Sequence, residues 1–170
     1  EAPAENAGGF GKVRAIATHA MRFQDYCTWR GLTVLTGVDP AASATEHLIR
    51  SQDGKAAVWV GAVDDLWQLG KPRGTGYPWK DDAVKANVPS DAFVMTGFDR
   101  KTLTFTQHGA KEAEISVEID LTGTGVWRTF DRFSAADGAT VIQDYSDLKA
   151  YWIRLVCDQA CTATARLEYR

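Results

Sequence analysis

The polar and apolar positions of this chain repeat at two residues, not at three or four. Glu114–Asp120 alternates strictly: Ile115, Val117 and Ile119 share one face, and the acids share the other. The closing segment does the same, with Ala163, Ala165, Leu167 and Tyr169 set against Thr162, Thr164, Arg166 and Glu168. Similar short runs, rich in β-branched and aromatic residues, predict strands over 13–18, 31–36, 46–50, 56–60, 93–97, 102–107, 126–133, 139–144 and 150–157. Ser51-Gln52-Asp53-Gly54-Lys55 reads as a hairpin turn, because Gly54 accepts the positive φ such turns need. Helical periodicity is absent beyond a short turn over 39–45 and another over 90–92.

This pattern predicts an all-β protein: an antiparallel β-sandwich with an embellished N-terminal half. Residues 1–10 read as a flexible lead and 11–170 as a single sandwich domain, with a composition change near 95 as a possible sub-division. The stretch over 64–82 is too rich in Gly and Pro for a long helix or a central strand. Residues 71–92 read as a long loop, kept ordered by Tyr77, Trp79 and Val84.

Composition narrows the function classes. The 170 residues carry a formal net charge of -3 with no basic cluster, so phosphate neutralisation has no footing and nucleic acid is not expected as a partner. No apolar run reaches bilayer length, so no membrane span is expected. Three cysteines leave at least one unpaired within the chain. Cys157 and Cys161, with three residues between them, are either a disulfide across a turn or two buried thiols, and Cys27 reads as a buried thiol. A disulfide fits a secreted or periplasmic location.

Candidate chemistry gathers where six tryptophans meet charged loops. Trp67, Arg73, Tyr77 and Trp79 place flat rings beside cations and paired carboxylates. Such rings pack on the C–H face of a sugar, while Asp and Arg bind its hydroxyls. Trp152 and Arg154 form a second candidate surface if their side of the strand faces water. The competing readings are that Trp67 and Trp79 anchor the loop and that Trp152 is covered. No cofactor is expected, apart from a structural Ca²⁺ at Asp64-Asp65 or Asp81-Asp82, where solvated turn carboxylates explain the pairs equally well. His19, near Arg22, Asp25 and Tyr26, is the one histidine cluster with catalytic potential, and no complete catalytic motif accompanies it.

Ser51-Gln52-Asp53-Gly54-Lys55 through Trp59-Val60-Gly61, then Asp64-Asp65-Leu66-Trp67, Gly70-Lys71-Pro72-Arg73-Gly74 and Pro78-Trp79-Lys80-Asp81, resembles the C-terminal region of larger secreted bacterial proteins. In those, a propeller-like part precedes a β-sandwich associated with polysaccharide degradation. The resemblance implies an extracytoplasmic, glycan-related setting and carries over no catalytic residue. The chain is too short to hold a propeller of its own. The expected function is a non-catalytic carbohydrate-binding module or accessory domain, with polysaccharide or oligosaccharide, and other domains of a larger enzyme, as partners. A small glycan lyase or hydrolase and a protein-interaction domain are the alternatives.

Overall fold

The computed structural model describes residues 12–43 and 45–170, so the expected lead over 1–10 lies outside the described residues. The chain divides into two compact units: Ile16–Lys71, and Pro72–Arg170 together with the segment ending at Ala15. The division falls at 71/72, not near 95. The composition change near 95 marks no boundary, because Phe93–Val94 and Lys101–His108 are strands of one sandwich.

The smaller unit is one antiparallel sheet of four strands, β1 (Asp25–Trp29), β2 (Leu32–Thr36), β3 (Leu48–Arg50) and β4 (Ala57–Gly61), ordered β1-β2-β4-β3. β1, which the alternation does not reveal, is joined to β2 by Arg30 and Gly31. Both have positive φ (49° and 81°), the twist a two-residue hairpin requires. Leu35 and Trp59 lie side by side on one face and form a small core with Val38 and Ala57. A 3₁₀ segment, Val63–Leu69, contributes Leu66 to that core. Residues 13–18 form no strand, and the described residues of 39–45 and 90–92 form no helix.

The larger unit holds eight strands in two antiparallel sheets. β5 (Gly74–Val84), β7 (Lys101–His108), β10 (Thr140–Asp144) and β12 (Cys161–Tyr169) form one, ordered β10-β7-β12-β5. β6 (Phe93–Val94), β8 (Glu112–Asp120), β9 (Trp127–Ala136) and β11 (Trp152–Cys157) form the other, ordered β6-β11-β8-β9. The pairing is nested: β5 with β12, β6 with β11, β7 with β10, β8 with β9. A long hairpin rolled into two sheets gives this order, which is the jelly roll. Leu103, Phe105, Ile115, Val117, Ile153, Leu155, Ala165 and Leu167 are sealed between the sheets. Buried Gln107 ties one sheet to the other. Its amide nitrogen donates to the carbonyls of Ala110 (2.8 Å) and Ala135 (3.1 Å).

Half of the stretch expected as a long loop, 71–92, is β5. Pro78 is tolerated there because β5 is an edge strand, where a missing N–H costs no ladder bond. Two register shifts against β12 and a positive φ at Asp81 (57°) bend this edge. With Lys80, Asp81 and Asp82 they blunt it against pairing with another chain. Gly76 is required for a different reason: a Cβ there would lie 2.5 Å from the Phe93 ring.

Candidate functional site

The two sheets present a cleft between their edge strands β9 and β10. Against β8, Thr129 lies opposite Glu118 and Asp131 opposite Val117, which leaves Phe130 without a partner. This bulge inserts one residue into β9, and the Phe130 ring faces outward there. Phe130 is 51% exposed at the mouth of this cleft. Its edge meets Tyr145 in a T-shaped pair, 6.0 Å between centroids.

Below the ring lies a cleft of about 580 Å³, lined by Asp131, Gln143, Asp144, Tyr145, Asp147 and Lys149 among others. That volume is in the range of small-ligand pockets. Buried Tyr145 donates its hydroxyl to Asp131 Oδ2 at 2.9 Å. Burial, then the Asp131 hydrogen bond, hold this phenol protonated well above its ordinary range. Asp144 Oδ1 accepts from the Ser146 amide (2.9 Å) and hydroxyl (2.5 Å), and the hydroxyl bond is the larger cause holding its carboxyl below the ordinary range. Three carboxylates, one amide and one ammonium thus surround an open aromatic face. Hydroxyl donors suit the carboxylates, and an aliphatic C–H face suits the ring.

The residues expected at a site are not brought together here. Trp67 lies on the 3₁₀ segment of the smaller unit and is 46% exposed. Arg73 is exposed just before β5, and Tyr77 on β5 is 39% exposed, with Lys80 Nζ 5.2 Å from its ring centroid. Trp79 points inward at 7% exposure and packs edge-on to Phe105. Trp152, at 1%, is covered by Val13, Trp127 and Ala92, so the covered alternative describes it. Arg154 is half-buried, 2.7 Å from Glu118 and stacked 4.3 Å over the Trp127 ring. Its guanidinium is engaged by the protein on both counts.

Asp65 accepts from the Ala62 amide at 2.6 Å, and Asp82 from the Lys80 amide at 2.9 Å, so one carboxylate of each pair braces its own turn. Among the described residues no three His, Cys, Asp or Glu side chains are arranged to hold a metal ion. His19 packs its ring on Phe23, 4.5 Å between centroids. Cys27 is exposed, contrary to expectation. Cys157 and Cys161 are buried free thiols with sulfurs 3.8 Å apart.

The sequence does not point to Phe130 and its cleft, because its 22 acidic residues are too many to single out the few that meet there. One signal was available. Phe133 and Ala135 set the inward phase of β9, so Phe130 falls on the outward phase, where a large ring needs a reason.

No protein-family model matches the sequence, and no curated protein matches it. Among solved structures the chain is similar to the crystal structure of PirA, at 16% identity and TM-score 0.38 over 58% of this chain and 93% of that one. It is similar to the crystal structure of PBSX exported protein XepA at 13% identity and TM-score 0.40, over 75% of this chain and half of that one. A structure described as "CBM4 structure and function" matches at 12% identity and TM-score 0.24, over 98% of this chain and 79% of that one. The jelly-roll assignment stands on the strand pairing itself. No helix among the described residues is long and apolar enough to cross a membrane.

Proposed function

We propose that this chain is a non-catalytic carbohydrate-binding module of an extracytoplasmic polysaccharide-processing system, and that it binds glycan in the cleft between β9 and β10. The observation that carries the reading is Phe130, exposed at a bulge above a cleft of carboxylates, an amide and an ammonium. The ring stacks on the C–H face of one sugar unit. Asp131, Asp144 and Asp147 accept from its hydroxyls, while Gln143 and Lys149 donate to its oxygens. The extracytoplasmic setting rests on the resemblance of the 51–81 stretch.

Affinity electrophoresis against soluble plant, algal and fungal glycans tests this reading. The native protein is expected to be retarded by at least one of them. Phe130→Ala should weaken that retardation at least about tenfold, the scale of 1.4 kcal/mol. Retardation by none, or equal retardation of the variant, removes the proposal.

A further inference from the structure

A second cleft opens at one end of the same sandwich, and its chemistry is the reverse of the first. It is about 450 Å³ in volume and is built from the β6–β7 connection, the β10–β11 connection, Leu121 of the β8–β9 turn and Arg14. The segment bearing Arg14 is fastened there by two hydrogen bonds. The Ala15 amide donates to the Thr96 carbonyl (3.2 Å), and the Thr96 hydroxyl to the Val13 carbonyl (2.6 Å).

Three cations, Arg14, Lys101 and Lys149, line this cleft against one carboxylate, Asp99. Lys101 is the unusual member. A lysine is seldom fully buried unless paired, yet this one is 2% exposed. Its ammonium donates to the Ser146 carbonyl at 3.2 Å, and no carboxylate of the described residues meets it within ion-pair distance. Asp99, Asp144 and Asp147 act on it only at longer range. Burial, and next the repulsion of Lys149, lower its affinity for its proton, which is the condition an incoming anion relieves. Phe98 and Tyr151 supply ring surface beside these charges.

We propose that this end cleft is a second binding site, for a small organic carboxylate. The anion lies against Lys101, Lys149 and Arg14, and its ring-shaped body lies against Phe98 and Tyr151. Charge attraction sets the orientation, and displacement of water from the two rings adds affinity that an inorganic anion lacks. The site is independent of the glycan cleft in all but Lys149 and Leu148, which line both.

Titration calorimetry and amide chemical shifts with glucuronate, benzoate and inorganic phosphate test the inference on the full chain. Saturable binding of glucuronate or benzoate, weaker in high salt, is expected, with shifts centred on residues 95–101 and 148–151. Arg14→Glu, an exposed change that leaves the core untouched, should weaken it at least about tenfold. Lys101→Met should abolish it, with folding checked by the unchanged amide spectrum of β8 and β9. Phe130→Ala should leave it intact, which separates this site from the glycan cleft. Absence of saturable binding, indifference to Arg14→Glu, or phosphate binding as tightly as both carboxylates overturns the proposal.

Discussion

The two units of this protein use the same secondary structure to different ends. In the sandwich, two four-stranded sheets each turn one apolar face inward, and the faces seal each other from water. In the smaller unit a single sheet has one face on a small core of Leu35, Val38, Ala57 and Trp59. Its opposite face is also apolar. Cys27, Val34 and Val60 lie in one row, Trp29 lies beside Leu32, and Ile49 lies beside Val58, all of them partly or fully exposed. A pleat buried on one side reads as alternation, and a pleat apolar on both sides does not. That is why β8 and β12 are legible in the sequence while β1 and the exposure of Cys27 are not. A small core also leaves less surface buried per residue, so the smaller unit is the less stable of the two.

The largest effects come from breaking each core in turn. Phe105→Ala removes a ring that is fully buried between the sheets and meets Trp79 and Phe133 edge-on. The loss should be about 3–5 kcal/mol in urea unfolding of the sandwich. Trp59→Ala removes a comparable side chain from a much smaller core and should unfold Ile16–Lys71 outright. Hydrogen exchange read by segment checks the contrast. Full protection of residues 25–61 in Trp59→Ala would contradict it.

A smaller effect separates a turn closed by a buried carboxylate from one closed by an exposed carboxylate. Asp120, fully buried, closes the β8–β9 turn by accepting from the amides of Thr122 (3.0 Å), Gly123 (2.8 Å) and Gly125 (2.7 Å). Asp120→Ala leaves those donors without an acceptor and should cost roughly 2–3 kcal/mol, seen as a lower urea midpoint. Asp53 does the same work in the open, accepting from the Ser51 hydroxyl (2.6 Å) and the Lys55 amide (3.1 Å). The Ser51 bond, and next the Lys55 amide, hold its carboxyl below the ordinary 3.8. Its contribution is therefore present above that value and fades as pH falls through the depressed one. Asp53→Asn should flatten the acid limb of the stability curve slightly. A loss as large as that of Asp120→Ala would blur the distinction between the turns.

The smallest effect concerns thiols. A thiol reagent near neutral pH should find one fast equivalent, Cys27 of the smaller unit, and three after unfolding. A second fast equivalent would place a sandwich thiol in water, and one in total would mean that Cys157 and Cys161 are bonded. Burial, then the neighbouring Cys157, push the Cys161 thiol up from 9.0 to about 11. A raised value favours the protonated folded state. The sandwich should therefore lose a little stability as pH rises from about 9 to about 11, and Cys161→Ala should lack that slope.

The proposed binding surface is less legible in the sequence than the fold. The sequence directs attention to tryptophans, but Trp79 and Trp152 are the residues a core takes first, since a large ring contributes most when it is covered. The exposed ring of the cleft is Phe130, which lies on the outward phase of β9, but no local pattern records that a cleft opens beneath it. The carboxylates beside it come from β9, β10 and the connection to β11, which only the nested pairing brings together.

The sequence by itself determined that the chain is all-β, which faces of β8 and β12 point inward, and that the Pro78 stretch has no place in the middle of a sheet. These follow from period-two patterning and from the missing N–H of proline, both properties of a few neighbouring residues. Only the tertiary structure decided that β5 closes against β12, that Val13 covers Trp152, and that two clefts of opposite charge lie on either side of the β10–β11 connection. Those outcomes depend on contacts between residues far apart in the chain, and no local pattern records which distant partner a strand will meet.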